Sequence, residues 1–372
     1  MRIKALHVSP TTDISAPKTS PLLAEKPLIT DTYAHVPNAG QADLAQGWAS
    51  HRLVRIADRA LGQASATLMN YHVQNGFFAD RMQGMRRLTG LGPKGQLEVQ
   101  LAPNRNKVPV ARQGVDHPKC CALCEPTFKE ERGLAWREYN VWPNAFPYMP
   151  AEKEHILITT AKHQGQGYSP KVLADMIDYQ RFACREKPIS MHFNGIAGNS
   201  QFHLHWQASL EKLPVQKLLD AGKLSTKEIL STQQGKISTY EEGYFRGILL
   251  AGQKDFVIKQ ATHMVKKLNL DKQTRGAYNM LLLHPKNGKA RLVIIPRRAD
   301  NLKPEVPGYG KVGFGAFSLG GTLVLPREQV PNGFDEHIVA AAQATTVSPK
   351  DLPWLDELAK HRGSDLLNVR NT

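Results

Sequence analysis

Apolar positions recur along this chain at two intervals, and the alternation between them predicts most of its elements. The stretch ASHRLVRIADRALGQASATLMNYHVQNGFF carries apolar residues at helical spacing and predicts one helix between about Trp48 and Leu88. LEVQLAPNRNKVPVAR alternates, breaks at Pro and Asn, and alternates again, which reads as two strands around a loop holding Asn104, Arg105 and Lys107. REYNVWPNAFPYMP and EHILITTAKH read as strands on either side of a Pro-rich turn. SPKVLADMIDYQRFACRE is a helix with Ser169 at its N-cap and Pro170 at its first position. ISMHFNG and FHLHWQASL are strands around a glycine-containing loop.

Residues 209–240 read as a connection rich in Lys, Ser and Gln with some helical character, after which the order of elements partly recurs. KDFVIKQATHMVKKL is a helix, YNMLLLHP and ARLVIIPRR are strands, and FGAFSLGGTLVLP is a glycine-broken strand pair. YNMLLLHP…RLVIIPRR echoes YNVWPNAFP…HILITTAKH, a weak internal duplication whose second copy lacks paired histidines. The division expected is a disordered tail (1–45), a first half (46–208), a basic connection (209–240), a second half (241–360) and a C-terminal tail (361–372).

Composition narrows the class. With 372 residues, 41% hydrophobic and 22% charged, the chain has the make-up of a globular protein of one large or two ordinary domains. No apolar run approaches the roughly 20 residues that span a bilayer, and no apolar segment ahead of a cleavage site marks classical secretion. The N-terminal stretch fits either a bare leader or an export address. A net charge of +15 spread through the chain points to anionic partners, phosphorylated small molecules or nucleic acid. No aromatic–basic RNA motif, finger spacing or basic helix stands out, so nucleic acid is the less favoured partner. Four cysteines, three of them in KCCALCE, suit a reducing compartment, and the expected location is cytoplasmic.

Candidate chemistry gathers in two places. Cys121 and Cys124 have the C-x-x-C spacing that lets two thiolates grip one ion, and His163 and His203 are candidates to complete a tetrahedral zinc site. Four ligands fill such a site, so the ion would staple loop to strand rather than activate water. The second place is GNSQFHLHWQ, where His203, His205 and Gln207 share one face of an extended segment. With His203 on the metal, His205 is left for other work. A neutral imidazole is a good nucleophile toward phosphorus near neutral pH. The preceding FNGIAGNS loop can bring backbone N–H groups to a phosphate, with side-chain donors from Asn194 and Ser200. Gln207 would place an amide beside the same phosphoryl oxygens.

HLHWQ preceded by FNGIAGNS resembles the active-site strand of the histidine-triad superfamily, in its transferase and phosphorylase branch. That branch includes galactose-1-phosphate uridylyltransferase, diadenosine tetraphosphate phosphorylase and GDP-hexose phosphorylase. The resemblance covers most of residues 90–330. CALC with His163 and His203 falls where the uridylyltransferase has its structural zinc ligands. WPNAFPYMPAEKEHILIT looks like the nucleoside-contacting strand pair, LEVQLAPNRNK resembles a strand and loop of the GDP-hexose phosphorylases, and YNMLLLHP…RLVIIPRR…FGAFSLGGTLVL is similar to the C-terminal part of the tetraphosphate phosphorylases.

The resemblance implies an α+β fold, a histidine-triad-like antiparallel sheet with flanking helices in two degenerate halves. It implies a nucleotidyltransferase or phosphorylase acting on a nucleoside polyphosphate or nucleotide sugar, with inorganic phosphate or a sugar phosphate as acceptor. His205 would form a covalent nucleotidyl-histidine, Gln207 would hold the phosphoryl oxygens, and Asn194, Gly198 and Ser200 would cradle phosphates. Asn144 and Phe146 would contact the nucleoside, while Arg105, Arg297 and Arg298 are candidates for the remaining phosphates. His155, His192 and His263 are left as ordinary histidines. Trp206 is bulkier than the small residue some relatives carry there, and the N-terminal tail and the 209–240 connection have no counterpart. The competing readings are a histidine-triad enzyme or binder acting on nucleic-acid ends, and a non-catalytic zinc-stapled nucleotide-binding protein.

Overall fold

The computed structural model describes residues 34–35, 40–92, 94–104, 121, 123–124, 128, 130–145, 147, 154–184, 188–197, 201–330 and 332–360. All of them lie in one compact unit, Tyr33–Thr372.

The chain enters through β1 (Ala34–His35), α1 (Gln41–Ser50), β2 (Leu53–Arg55), α2 (Leu61–Gln74) and α3 (Ala79–Met82), then a hairpin of β3 (Arg86–Leu91) and β4 (Leu97–Leu101). The single helix expected over Trp48–Leu88 is therefore broken. Leu53–Arg55 leaves the helical pattern because it pairs in parallel with β5 (Gly133–Trp136), and sheet pairing outweighs a local preference of a few tenths of a kcal/mol per residue. Helix α1 also begins inside the stretch expected to be tail.

After β5 come β6 (Tyr139–Pro143), β7 (Ile156–Thr160), α4 (Pro170–Ala183), β8 (Ser190–Phe193) and β9 (His205–Ser209). Helix α4 starts as its sequence dictates. The Ser169 side chain accepts from Val172 N–H, and Pro170 occupies a first-turn position where no N–H is needed. The chain continues through α5 (Pro214–Asp220), β10 (Thr226–Ser231), β11 (Gly235–Glu242), β12 (Phe245–Gly252), α6 (Lys254–Leu270), β13 (Tyr278–Lys286) and β14 (Lys289–Pro296). It closes with β15 (Glu305–Val306), β16 (Gly310–Lys311), α7 (Ala316–Leu319), β17 (Thr322–Leu325), α8 (Phe334–Thr345) and α9 (Pro353–Lys360).

Twelve strands form one sheet in the order β1-β2-β5-β6-β7-β9-β8-β13-β14-β12-β11-β10. Apart from the parallel pairs β1–β2 and β2–β5, its pairing is antiparallel, and the fold is α+β. From β5 onward the order is a palindrome. β5-β6-β7-α4-β8-β9 and β10-β11-β12-α6-β13-β14 are the same unit, joined where β8 pairs β13 (His192 opposite Leu281). Hence the sequence echo falls one hairpin off: β13–β14 correspond in position to β8–β9, not to β6–β7. The second unit also begins at Thr226, within the stretch expected as a connection, so β10 and β11 lie there.

Alternation divides the sheet into two faces. Met191, Phe193, Trp206, Ala208, Met280, Leu282, Leu292 and Ile294 pack with α2, α4 and α6 in the larger core. On the opposite face of the second unit, Leu281, Leu283, Val293 and Ile295 are buried at 0–1% exposure. The residues packed there come from α5, α7, α8 and the small β17-β4-β3 sheet. FGAFSLGGTLVLP, expected as two strands, is in fact α7 followed by β17, and β17 adds in parallel to β4.

Burial sets an acid limit on this fold. His72 accepts Arg132 N–H at Nε2 (3.1 Å) and hydrogen-bonds Leu68 O through Nδ1 (2.9 Å), and burial pushes its pKa down to about 4. His284 is likewise pushed down to about 4, by burial and then by Lys212. The unfolded chain binds protons at these positions below about pH 6.5 while the folded chain does not, so their contribution to stability is intact above that pH and declines as pH falls toward 4. The melting temperature is expected to hold between pH 7 and 8 and to fall between pH 6.5 and 4, with a shallower fall in His72→Gln. A wild-type curve flat down to pH 4.5 would contradict this.

Candidate functional site

The four metal candidates converge. Cys121, Cys124, His163 and His203 place one ligand atom each within 4.8 Å of one another. His203 Nδ1 is 3.4 Å from Cys121 Sγ and 3.2 Å from Cys124 Sγ, and His163 Nδ1 is 3.2 Å from Cys124 Sγ. A tetrahedral zinc with bonds near ~2.3 Å to sulfur and ~2.1 Å to nitrogen puts its ligand atoms roughly 3.4–3.8 Å apart, so the residues fit a zinc-sized ion.

Beyond the ligands, His203 Nε2 hydrogen-bonds Thr160 O at 2.8 Å and meets Thr160 Oγ1 at 3.0 Å. A carbonyl there keeps the proton on Nε2 and leaves the Nδ1 lone pair toward the thiols. Burial, and then the neighbouring Cys121, pushes the Cys124 thiol up to about 12, a charge deficit that a divalent cation would reverse.

His205 begins β9 and is 5% exposed. Its Nδ1 donates to His203 O at 2.8 Å, which fixes the neutral tautomer and leaves the lone pair on Nε2. Burial lowers its pKa, which also favours the neutral ring. Strand β8 has ended at this level, and the Gln166 amide takes its place. Gln166 Oε1 accepts His205 N–H (2.9 Å) and its Nε2 donates to His205 O (3.3 Å). The backbone that carries the imidazole is thus held on both sides.

Gln207 projects from the same face, surrounded by polar side chains. His155 Nε2 lies 2.9 Å from Gln207 Oε1 and 3.0 Å from Asn144 Nδ2. Asn144 Nδ2 is 3.5 Å from Gln207 Oε1, and the His192 ring hydrogen-bonds the Gln207 side chain. His192 sits opposite Gln207 in the β8–β9 register, with Phe317 packed on its other flank (5.4 Å between centroids). His155 and His192 were set aside in the sequence and in fact hold the glutamine. The signal was present in both strands: Ser190, His192 and Asn194 alternate with apolar Met191 and Phe193, and His155 precedes the alternating run of β7.

Asn194 stands at the junction of the two units. Its Oδ1 accepts Ala316 N–H at the start of α7 (2.7 Å), while Asn279 Nδ2 donates to Asn194 O (2.9 Å) and Ala197 O (2.8 Å). Gly195 follows with φ +54, and a Cβ there would lie 2.6 Å from Tyr278 O, so the turn into the loop needs glycine.

Arg297 is not a phosphate ligand. It is 0% exposed, and its guanidinium is taken up inside the protein: Nε donates to Thr345 O (3.1 Å), Nη1 to Asn279 Oδ1 and Phe314 O, and Nη2 to Leu302 O (3.2 Å) and Thr345 Oγ1 (2.7 Å). With Ala197 O, 3.5 Å from Nη1, six acceptors surround the five N–H groups, which leaves none for a ligand. Burial lowers its pKa to about 10. It anchors Asn279, which in turn holds the glycine loop. Arg298 pairs with Asp300 at 3.4 Å on the surface and is not drawn to Gln207 or His205. Arg105, Phe146, Gly198 and Ser200 lie outside the described residues.

An Arg297→Met variant would strand several buried acceptors and is expected to lose at least ~3 kcal/mol in urea unfolding. Arg297→Lys, with three donors on a point charge, should recover little of it. A midpoint shift too small to resolve in either variant would contradict this role.

No family model and no curated protein matches the chain. Among solved structures it is similar to the yeast Ap4A phosphorylase Apa2 in complex with AMP, with a TM-score of 0.49 and 19% identity over 75% of this chain and 96% of that one. It is also similar to a DUF4931 family protein from Bacillus cereus, with a TM-score of 0.34 and 11% identity over 56% of this chain and 95% of that one.

Proposed function

We propose that the protein is a nucleotidyltransferase or phosphorylase of the histidine-triad-like class, working through His205 by double displacement. The observation that carries this reading is the locked tautomer of His205. Its Nδ1 is committed to His203 O, which leaves the lone pair on Nε2, and Gln207 lies two residues further along the same strand, on the same face. In the first step Nε2 attacks the α-phosphorus of a nucleoside polyphosphate or nucleotide sugar. An N–P bond forms, the P–O bond to the leaving phosphate or sugar phosphate breaks, and the leaving group takes the electron pair. In the second step an acceptor phosphate oxygen attacks the same phosphorus, the N–P bond breaks, and the lone pair returns to Nε2. The His205 Nδ1–H bond to a fixed carbonyl favours the charge that the ring acquires in the intermediate.

Gln207, held by His155 and His192, would present its amide to the non-bridging oxygens as charge develops. Asn144 and the glycine loop beginning at Asn194 complete the polar wall. Cys121, Cys124, His163 and His203 would hold a structural zinc whose contribution is to fix the strand that carries His205. The cytoplasmic location and a small-molecule rather than nucleic-acid acceptor belong to the same proposal.

Pre-steady-state kinetics tests it. Mixed with a nucleotide substrate and no acceptor, the enzyme is expected to release leaving group in a burst that approaches one equivalent per chain. Adding inorganic phosphate or a sugar phosphate should restart turnover. Release that is linear from the first turnover, with no dependence on acceptor, would overturn the double displacement.

A further inference from the structure

A cavity of about 460 Å³ opens beside Gln166, among the start of α4, the C-terminal half of α6, the 275–278 turn and Ile196 of the glycine loop. Its volume lies within the range of small-molecule sites, roughly 300–1,000 Å³. The walls are aromatic and apolar: Tyr168 and Tyr278 line it, and Ile196, 55% exposed, stands at it uncovered. Among the described residues, Lys266 and Arg275 are its two charged lining residues, both cationic, and no carboxylate lines it.

We propose that this cavity is a subsite for a phosphate-bearing group, with Lys266 and Arg275 taking the anion and the tyrosine-lined wall taking a flat or apolar portion. Three observations carry it. The charge of the described lining is of one sign, so an anion entering the cavity meets attraction. Tyr168 is held in place through its hydroxyl, 2.8 Å from Thr262 Oγ1, which leaves a wall that needs little ordering on binding. And the cavity shares Gln166 with the nucleophile, since the same amide that lines it brackets the His205 backbone.

Tyr278 packs with Phe193 on the helix-covered face of the sheet, opposite the face that carries His205 and Gln207, so the subsite stands behind the catalytic strand and meets it through Gln166. The binding claim does not depend on the double-displacement reading.

Isothermal titration of the full chain with inorganic pyrophosphate, at low and at physiological salt, tests the subsite. Binding is expected in wild type and to persist in His205→Ala. It should weaken at least tenfold in Lys266→Gln/Arg275→Gln, and stay unchanged in Lys236→Gln, an exposed cation on β11. Affinity should fall with salt. Both altered side chains are solvent-exposed, so the double variant should melt with wild type. Wild-type affinity in the double variant, or no binding to wild type, overturns the subsite. Failure of the double displacement registers separately, as a missing burst with pyrophosphate binding intact.

Discussion

His205→Ala is expected to lower kcat for nucleotidyl transfer by at least ~10³-fold, on the order of 4 kcal/mol of transition-state stabilisation. The loss is large because the covalent route disappears altogether, and no described side chain stands ready to replace it. His192 and His155 lie on the same face, but their rings are occupied with Gln207. Binding of nucleotide should change far less, since phosphate contacts would come from the glycine loop and Gln207. The pattern to look for is therefore a collapse of kcat with the substrate Kd kept within a few-fold. A His205→Ala enzyme that retained a tenth of wild-type turnover would remove His205 from the chemistry. Gln207→Ala is expected to keep the burst and slow it, because the amide stabilises charge without forming a bond.

The second large effect lies in the metal cluster. Elemental analysis should find one zinc per chain, and Cys124→Ser or exhaustive chelation should lower the melting temperature by more than any surface substitution. Structural zinc in small domains contributes apparent binding energies of about 10 kcal/mol or more, although a chain with this much core retains part of its fold without it. The consequence reaches catalysis through one residue. His203 gives Nδ1 to the cluster and its carbonyl to the Nδ1–H of His205. A loosened His203 lets the His205 ring change tautomer, so kcat should drop along with stability. A metal-free chain with unchanged melting temperature and activity would contradict the assignment of these four residues.

Much of this site was legible because strands alternate. HLHWQ places His205 and Gln207 on one face by spacing alone, and C-x-x-C plus two histidines supplied four candidate ligands that do converge. The metal set was readable although its parts are some forty residues apart, because thiol and imidazole pairs are restricted in what they bind. What the sequence hid were partners defined by tertiary position. Gln166 looks like a loop amide, yet it stands in for a missing strand beside His205. Arg297 looks like a phosphate ligand because it is a cation near a strand end, and burial instead turns it inward. Apolar face residues explain why the second unit lacks the histidines. There the equivalent face carries Leu281, Leu283, Val293 and Ile295 and is filled by core, so a polar site would have been buried.

The fold was harder at its edges. β2 lies in a helical pattern and owes its conformation to pairing with β5, where Val54 lies opposite Leu134. α7 has a strand-like sequence, but its start is set by Asn194, whose Oδ1 accepts the Ala316 N–H across the unit boundary. Both cases are local preference overruled by one long-range contact.

The most direct test of the His205 assignment is to trap the intermediate. Wild-type protein incubated with an α-labelled nucleotide substrate, quenched under alkaline conditions and digested, should yield one labelled peptide spanning GNSQFHLHWQ. Fragmentation should place an acid-labile nucleotidyl group on His205. Label on another residue, or none while turnover proceeds, would contradict the mechanism.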